Sequence, residues 1–454
     1  MVNFLDILFY CISALFIGAN AYNLISSRYV YTLVKDRKVS KIPNHAPVSF
    51  KTTIIVPVRD EQKAVNDSIH YFSNWISAAP NYFNVRLIYV SASDRRQDDL
   101  GSTCERVQNA ITRATAERHH LIEKLTHLHY VGNFVSKAAQ VNWAVQSVLL
   151  NTSVSPKNHL IGVYDVDARP PTTTFDELLR LQGSLDTPPE CIQQLTVYYS
   201  AADRTPQVNV FGLLGAMWQT RFSLLVEAFI LSRQRFLSCR ILHWSIGNGL
   251  YIRSDIFSRL GGFSEKHLVE DIEFGFRLSL EDIKIVVMPV FLESGNPNKI
   301  VDDVVQKMRW FKGVWEYKFY ALDTRHSQKY TLGKWLALQG FIRGFGWLTF
   351  GPMIVFLIIY GLFYAEDLLS IILSFSGTLY VWTGFTITAV MVSRIEDAKI
   401  AHSQMSNLFR LLFVIFISPL YAIAYSLGPI AHLIHRSLLY LAKISSTMRY
   451  AITK

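Results

Sequence analysis

The stretch His159 to Pro170, HLIGVYDVDARP, joins an apolar run to two carboxylates, Asp165 and Asp167. Side chains alternate along a strand with a period of two, so this spacing aims both carboxylates at the same side of the strand's end. Two carboxylates placed in this way can hold a hard divalent cation such as Mg²⁺ or Mn²⁺. A solvated turn after a buried strand is the commoner explanation of a lone D-x-D motif, so the remaining motifs have to distinguish the two.

Long apolar runs lie at the two ends of the chain, and half of its 454 residues are hydrophobic. The runs, each near the 20 residues needed to cross a bilayer, are 4–26, 346–365, 369–393 and 411–434. The first has neither a basic leader nor a small-residue cleavage site, so we expect a retained anchor. The predicted layout is an N-terminal transmembrane anchor (1–30), a soluble domain (51–320), interfacial helices (321–345), transmembrane helices (346–435) and a basic tail (436–454).

Basic residues close behind the first apolar run put the middle of the chain in the cytoplasm by the positive-inside rule. We therefore expect a multi-pass protein of the cell membrane with a cytoplasmic central domain. Three C-terminal spans would place the C-terminus outside, whereas the positive-inside rule would keep the basic tail inside. That tail carries Arg436, Lys443, Arg449 and Lys454.

The basic residues behind the net charge of +10 cluster beside the apolar runs, and the sequence contains no RNA-binding motif. This pattern argues against nucleic acid as a partner. It favours the anionic headgroups of membrane lipids, together with a nucleotide diphosphate.

Apolar strand patterns alternate with helical patterns between Lys51 and Asp167, which predicts an α/β domain. Ligands in such domains bind at the carboxyl ends of the strands. Neither a G-x-G-x-x-G fingerprint nor a Walker A lysine motif is present, so a nucleotide must be held by other groups. The carboxylates at the predicted strand ends are Asp60, Glu61, Asp94, Asp165 and Asp167.

Motifs between 51 and 320 together resemble family 2 glycosyltransferases with a GT-A fold. In chain order they are PVRDE (57–61), SASD (91–94), KAAQVNWAV (137–145), DVD (165–167), IGNGLYIRSDIF (246–257), VEDIEFGFRL (269–278) and VQKMRW (305–310). The last carries the Q-x-x-R-W pattern of the membrane-embedded branch, which includes chitooligosaccharide, hyaluronan and cellulose synthases and ceramide glucosyltransferases. The resemblance implies a mixed, mostly parallel sheet accompanied by transmembrane and interfacial helices.

The resemblance also implies a donor site for a nucleotide-sugar, with Mg²⁺ or Mn²⁺ held by Asp165 and Asp167. Two alternatives stay open: Lys137 is also explained as an ordinary surface lysine, and Asp60 with Glu61 as helix-capping carboxylates. The residues implied for donor binding are Asp60, Glu61, Asp94, Lys137, Asp165, Gln306 and Arg309.

Asp271 matches the aspartate that acts in the family as the base of a single, inverting displacement. It lies in an acidic cluster with Glu270 and Glu273. Neighbouring carboxylates raise one another's pKa, which helps a group that must take a proton from a hydroxyl. The alternative is a helix start stabilised by acids in its first turn.

Gln306, Arg309 and Trp310 share one face of a predicted helix, where arginine suits diphosphate oxygens and an indole suits a sugar ring. An interfacial helix would place Arg and Trp at the lipid headgroups and is compatible with the same face. Residues 211–238 are expected to form a second interfacial helix or a buried core helix. The residues assigned to the acceptor are Trp310, Glu270, Gly247, Asn248 and Gly249.

The leading hypothesis is an inverting, metal-dependent hexosyltransferase that extends a β-linked glycan from a UDP-sugar. Its acceptor would be a glycan or a glycolipid, and single transfer to a lipid is the enzymatic alternative. A scaffold or transporter that only binds nucleotide-sugars is the alternative from another class. The small number of spans leaves open an oligomer that forms a secretion path.

Overall fold

A seven-stranded sheet forms the centre of the molecule, with strand order β3-β2-β1-β4-β6-β5-β7. The structure, a computed structural model, describes residues 4–37, 51–80, 83–94, 101–150, 154–183, 189–201, 209–233 and 241–452. The strands are β1 (Lys51–Val58), β2 (Asn84–Ala92), β3 (Leu125–Tyr130), β4 (His159–Val163), β5 (Cys191–Ser200), β6 (Leu250–Arg253) and β7 (Ile285–Asn296).

Every neighbouring pair in this sheet is parallel except those made by β6, which runs antiparallel to both β4 and β5. The predicted α/β class with a mixed, mostly parallel sheet is therefore confirmed. The carboxyl ends of β1, β2 and β4 meet at one edge, which brings the acidic residues after them together.

Helices cover both faces of the sheet and continue into a C-terminal helical region. They are α1 (Phe4–Arg37), α2 (Val65–Ser77), α3 (Thr103–Glu117), α4 (Lys137–Leu149), α5 (Thr173–Gly183), α6 (Val210–Arg221), α7 (Ala228–Arg233), α8 (Ser254–Arg259), α9 (Glu270–Leu280), α10 (Ile300–Asp323), α11 (Tyr330–Phe363), α12 (Leu368–Ser374), α13 (Ser376–Val392), α14 (Lys399–Met405), α15 (Leu408–Tyr425) and α16 (Leu427–Ile452).

Alternate residues of the strands enter two different cores, as the period of a strand requires. On β1, Ile54 and Val56 join a core with the aromatic residues of α2 and α5. Ile55 faces the opposite side and joins a core that also contains Phe9 of α1 and Ala422 of α15. The sheet and the apolar helices therefore share one continuous hydrophobic core.

Three helical stretches are long and apolar enough to cross a membrane, namely Phe4–Lys35, Tyr330–Phe363 and Leu408–Leu439. A fourth candidate is the pair Leu368–Ser374 and Ser376–Val392, which is bent by 44°. The stretches agree in number with the four expected apolar runs.

One helix, α11, runs unbroken from Tyr330 to Phe363 and so includes residue 345, where the sequence placed the boundary between interfacial and transmembrane helices. The first half of α11 packs against α10, where Gly340 lies against Tyr317 and Gly344 against Val314. These glycines allow close approach of the two helices and hold the first half of α11 on α10.

Residues 210–233 form a buried core helix, which settles the alternative left open by the sequence. Every residue from Gly212 to Arg221 is buried. A single π-helical turn, Phe222–Glu227, separates α6 from α7. Residues 234–238 of the expected helix lie outside the described residues.

Candidate active site

Asp165 and Asp167 follow β4 and are held by different elements, Asp165 by α4 and Asp167 by β7. Asp167 Oδ2 accepts hydrogen bonds from the Ser294 hydroxyl at 2.9 Å and the Gly295 amide at 2.8 Å, both on β7. Asp165 Oδ1 instead accepts from Lys137 Nζ at 2.5 Å. Burial, followed by the charge of Asp165, raises the pKa of Asp167. Each carboxylate of the pair is thus oriented by its own hydrogen-bond donors.

Glu61 lies beside this pair, in surroundings that disfavour ionisation of its carboxyl group. Burial, followed by Asp167, Asp165 and Asp60, raises the pKa of Glu61 to about 7. Asp60 is exposed and has a φ of +57°, a left-handed conformation that turns the chain after β1. No side chain caps the start of α2, so the helix-capping explanation of Asp60 and Glu61 does not hold there.

Asp94 binds protein groups with both carboxylate oxygens. Oδ1 accepts from the Asp60 amide at 2.9 Å and from the Thr103 hydroxyl at 2.6 Å. Oδ2 accepts from the Thr103 amide at 2.7 Å. Asp94 therefore ties the turn after β1 to the start of α3, and a hydrogen bond to a nucleobase would have to use a remaining lone pair.

Lys137 is the first residue of α4 and points into the carboxylate cluster, so it is not an ordinary surface lysine. Besides Asp165, its ammonium group donates to the Gly247 carbonyl oxygen at 3.1 Å. Burial alone would lower the pKa of Lys137, but Asp165, Glu270 and Asp271 outweigh it and raise the pKa. The lysine therefore stays charged and is the cation at the centre of the described cluster.

The loop Gly247–Asn248–Gly249 connects the carboxylate pair to Asp271. The Gly247 amide donates to Asp271 Oδ2 at 3.0 Å, and the Asp165 amide donates to Asn248 Oδ1 at 3.2 Å. A Cβ at Gly247 would lie 2.9 Å from Lys137 Nζ, so a side chain there would collide with the lysine. Gly249 has a φ of +72°, a conformation that favours glycine.

Asp271 lies in the first turn of α9 and has a raised pKa, mainly because of burial; Lys137 and the Gly247 amide oppose that effect. Burial and then Asp271 raise the pKa of the neighbouring Glu270 to about 7. The expected upward direction is thus present, although burial is a larger cause than the neighbouring charges. Asp271 Oδ1 also accepts from the Ile272 amide at 2.8 Å, so the carboxylate interacts with the helix start as well.

Glu273 does not belong to the acidic cluster in which the sequence placed it. Both of its oxygens bind the Arg277 guanidinium at 2.7 Å, one turn later on α9. This bidentate pair neutralises Glu273 and leaves Glu270 and Asp271 as the acids that face Lys137.

The residues of the Q-x-x-R-W motif lie on α10, and Lys307, which is not part of the motif, contacts two of them. Lys307 is fully buried, pairs with Asp303 Oδ1 at 2.7 Å and donates to Gln306 Oε1 at 3.0 Å. Its ammonium lies 4.7 Å from the centre of the Trp310 ring. Arg309 is exposed, and within the described part of the chain it makes no hydrogen bond to the carboxylate cluster.

Glu227, at the end of the π-helical turn, was not selected as a functional residue by sequence reasoning. Burial, followed by Asp271, raises the pKa of Glu227 to about 8, while a hydrogen bond with Ser223 opposes the shift. The adjacent Trp244 stacks on Phe222 of the same turn at 5.5 Å. π-Helical turns occur often at functional sites, but the sequence pattern does not reveal them.

The carboxylate pair fits a divalent cation that arrives together with a diphosphate. No group of three or more His, Cys, Asp or Glu side chains suited to a metal ion occurs among the described residues. Mg²⁺ usually binds one or two carboxylates and completes its shell with water and substrate phosphates. Burial, and after it the neighbouring carboxylates, raise the pKa of both Glu61 and Asp167, and a bound cation would offset both effects.

A family model described as glycosyl transferase family group 2 matches residues 176–440, which is more than half of the chain. The chain belongs to this glycosyltransferase family. The matched region includes Asp271 and the Q-x-x-R-W residues, whereas the strand-end carboxylates up to Asp167 lie before it. Together with the sheet topology, membership identifies the fold as GT-A type.

Two solved structures show a distant likeness to this glycosyltransferase. The mannosyltransferase PcManGT from Pyrobaculum calidifontis, in complex with GDP-Man and Mn²⁺, is 14% identical and has a TM-score of 0.41. The match covers 90% of this chain and 98% of that chain. A mycobacterial protein is 12% identical over 59% of this chain and 76% of its own, with a TM-score of 0.32. No curated protein matches the sequence.

Proposed function

We propose that this chain is a membrane-embedded, inverting hexosyltransferase that moves a sugar from a nucleotide-diphosphate sugar, with UDP as the expected nucleotide, to a growing β-linked glycan. The observation that carries the proposal is the continuous contact path from Asp165 through Lys137 and Gly247 to Asp271. The path links the carboxylates suited to the donor with the carboxylate suited to a general base.

Donor binding would use the cluster at the ends of β1 and β4. Asp165 and Asp167 would hold Mg²⁺ or Mn²⁺, and the ion would neutralise charge on the departing diphosphate. Lys137 would contact a phosphate oxygen from the opposite side. Asp60, Glu61 and Asp94 would line the nucleoside side, while Gln306 and Arg309 would close over the diphosphate from α10.

Transfer itself would depend on Asp271. The pKa of Asp271 is raised toward neutral pH, and a general base is most effective when its pKa lies near the working pH. Held by the Gly247 amide, Asp271 would take the proton of the acceptor hydroxyl while that oxygen attacks the anomeric carbon. Attack from the side opposite the diphosphate inverts the anomeric centre.

The acceptor side of the cluster borders the apolar helices. Trp244, three residues before Gly247, donates to the Tyr317 hydroxyl of α10 at 2.7 Å and lies 5.2 Å from the Arg343 guanidinium of α11. An acceptor that approaches along Trp310, Glu270 and the 247–249 loop would thus arrive from the membrane side. This arrangement suits a glycan that leaves through the membrane, and it also supports single transfer to a lipid acceptor as a second candidate.

The deciding experiment incubates the purified protein in lipid nanodiscs with a panel of nucleotide-sugars and measures released nucleotide. Turnover of one donor, abolished by a chelator and restored by Mg²⁺ or Mn²⁺, is expected. A product that lengthens with time indicates a synthase, and a single addition to lipid indicates the second candidate. Donor binding without turnover, with both acceptor types supplied, would reject the enzyme and favour the scaffold.

A further inference from the structure

The contacts among α1, α11 and α13 establish a depth scale across the apolar region. At one end, Asp6 of α1 accepts a hydrogen bond from Tyr360 near the end of α11, at 2.7 Å. Further along, Phe16 lies 5.6 Å from Phe350. At the other end, Tyr31 lies under the Arg394 guanidinium, just after α13. These three helices thus extend side by side from the catalytic domain to a far surface near Tyr360.

The hydrogen bonds that join α15 to the other apolar helices lie away from the far surface. Trp382 of α13 donates to the Phe416 carbonyl oxygen at 3.1 Å, and Trp347 of α11 donates to the Tyr425 carbonyl oxygen at 3.2 Å. Trp347 lies about 24 Å along α11 from Phe363, at a rise of about 1.5 Å per residue. The hydrocarbon core is about 30 Å thick, so the contact of α15 with α11 lies in the half of the membrane nearer the catalytic domain.

The segments before and after this contact also lie on the catalytic domain. Gln404 of α14, four residues before the start of α15, exchanges hydrogen bonds of 2.8 and 3.0 Å with the Ser200 backbone at the end of β5. Tyr421, in the last turn of α15, donates to Asp303 of α10 at 2.9 Å. A helix that crossed the bilayer would have one end far from the domain, whereas the helix before α15 and Tyr421 near the end of α15 both contact the domain.

α16 continues along the same domain and does not turn away from it. A Cβ at Gly428 would lie 2.4 Å from Lys307 Cβ, and His432 lies 5.8 Å from Phe311. One turn later, the Arg436 guanidinium lies 4.9 Å from the Trp315 ring. Successive turns of α16 therefore contact successive turns of α10.

The side of α15 that faces away from the domain is an uninterrupted apolar stripe. Val414, Ser418 and Tyr421 are buried, whereas Phe409 is 86% exposed and Phe416 is 69% exposed. The stripe repeats at the three- and four-residue spacing of one helix face. It consists of Phe409, Leu412, Phe413, Phe416 and Leu420.

We propose that α15 and α16 lie in the plane of the membrane on the side of the catalytic domain, with this stripe in the acyl chains of that leaflet. Lipid is the occupant because the stripe adjoins the exposed apolar surface of the spans: its Phe416 ring stacks on Trp382 of α13 at 6.4 Å, and Leu379, one turn from Trp382, is exposed as well. The C-terminus then lies on the domain side. This placement does not depend on the transfer reaction.

The proposal removes the conflict between the number of spans and the basic tail. With α1, α11 and the bent α12–α13 pair as the spans, the chain crosses three times and returns to the side of the catalytic domain. Arg436, the first residue of the basic tail, then lies on the same side as Arg28 and Lys35 near the end of α1. That is the arrangement favoured by the positive-inside rule.

Spin labels on the stripe test the orientation directly. Single cysteines at 409, 413, 416 and 420 carry nitroxides in nanodiscs, and power saturation gives each label's depth from oxygen and nickel accessibility. We expect similar depths at all four, because an in-plane helix holds them level. A crossing helix would spread them over about 16 Å, which would overturn the proposal.

Control labels at 355, 359 and 362 on the span α11 should show the depth gradient that the stripe lacks, since these positions are also exposed. Stripe labels with high nickel and low oxygen accessibility would mean water or a protein partner at this surface, and the lipid proposal would be wrong. Thermal unfolding of each labelled protein shows whether its fold is retained.

Sidedness of the C-terminus is a second, independent test. In a background without Cys11, Cys104, Cys191 and Cys239, an impermeant maleimide is applied to intact and permeabilised cells. Ser437→Cys should behave like the domain-side control Ser406→Cys and unlike the far-side control Glu366→Cys, all at exposed positions. Labelling of Ser437→Cys together with Glu366→Cys would overturn the proposal. Neither outcome bears on whether the enzyme transfers sugar.

Discussion

Lys137 Nζ lies 2.5 Å from Asp165 Oδ1, so the carboxylate proposed to bind a metal ion already binds an internal cation. The same ammonium group donates to Gly247, whose amide holds Asp271. A metal ion bound with the donor would share Asp165 with Lys137. A shift of Lys137 on donor binding would then reach Asp271 through Gly247.

The first prediction concerns the carboxylate pair. Asp165→Asn or Asp167→Asn should weaken donor binding in Mg²⁺ by at least about tenfold, because each removes one negative ligand from the ion. Isothermal titration with the nucleotide-sugar measures the change. Asp176→Asn is the control, because Asp176 is exposed on α5. Full transfer activity in the presence of a chelator would contradict the metal-dependent mechanism.

The second prediction separates catalysis from helix stability at Asp271. Asp271→Asn keeps the shape of the side chain but cannot take the acceptor's proton, so turnover should fall about 10²- to 10⁴-fold while donor affinity changes little. Both quantities are measured on one purified sample.

Asp302→Asn is the matched control for Asp271→Asn, since Asp302 is an exposed acid in the first turn of α10. It should lose only the helix-start contribution, which is at most about 1 kcal/mol. Retained turnover in Asp271→Asn would exclude this residue as the base. A joint loss of binding and turnover would instead assign it to the donor or to folding.

The third prediction is a pH dependence of stability at Glu227. Its pKa is raised from 4.5 to about 8, so the folded state favours the neutral acid. The resulting stabilisation is complete below the usual pKa and is lost as pH rises through about 8. Glu227→Gln stays neutral, so its melting temperature should gain on that of the wild type toward alkaline pH. If the difference in melting temperature between the two proteins stayed constant from about pH 5 to pH 9, the raised pKa of Glu227 would be contradicted.

The fourth prediction concerns the ion pair of Lys307 with Asp303, whose side chains are 1% and 5% exposed. Lys307→Met leaves a buried carboxylate without its cation and should cost about 3–5 kcal/mol of unfolding free energy. Adding Asp303→Asn removes that charge while keeping an acceptor for Tyr421, so the double variant should recover part of the loss.

The exposed pair Lys329–Glu281 supplies the comparison, because its side chains are 42% and 38% exposed. Lys329→Met should cost no more than about 1 kcal/mol. Equal losses from Lys307→Met and Lys329→Met in denaturant or thermal unfolding would mean that burial of the α10 pair has no energetic effect.

The fifth prediction concerns Arg309, which is exposed in the structure and would meet only the bound donor. Arg309→Lys keeps the charge but loses the planar fork, so transfer should be severely impaired at unchanged protein stability. Arg259→Lys, on the exposed surface of α8, is the control. Wild-type rates in Arg309→Lys would leave Arg309 only the role of an interfacial arginine.

Sequence reasoning located the carboxylates at the strand ends because parallel strands end at a common edge, and a hydrophobic run shows where a strand ends. It therefore selected Asp165, Asp167 and Glu61, three carboxylates that lie close together in the structure. It also found the order of the motifs that identify the family, since order and spacing are properties of the sequence alone.

Three features could not be read in the same way. Glu273 and Arg277 are four residues apart on a helix and form an ion pair. Sequence reasoning instead grouped Glu273 with the neighbouring acids Glu270 and Asp271. The burial of Lys307 depends on Gly428, more than a hundred residues later, and no local pattern reports such a contact. Hydropathy identifies α15 as apolar but contains no information about its direction in the membrane.

The position of β6 in the sheet affects how the protein is synthesised. β4, which leads to Asp165 and Asp167, pairs on one side with β1 and on the other with β6, whose first residue is Leu250. At about 5–20 residues per second, a ribosome needs on the order of 4–20 s to travel from β4 to β6. During that interval the nascent chain presents an unpaired strand edge beside the membrane, so we expect chaperones to be needed at this stage of translation.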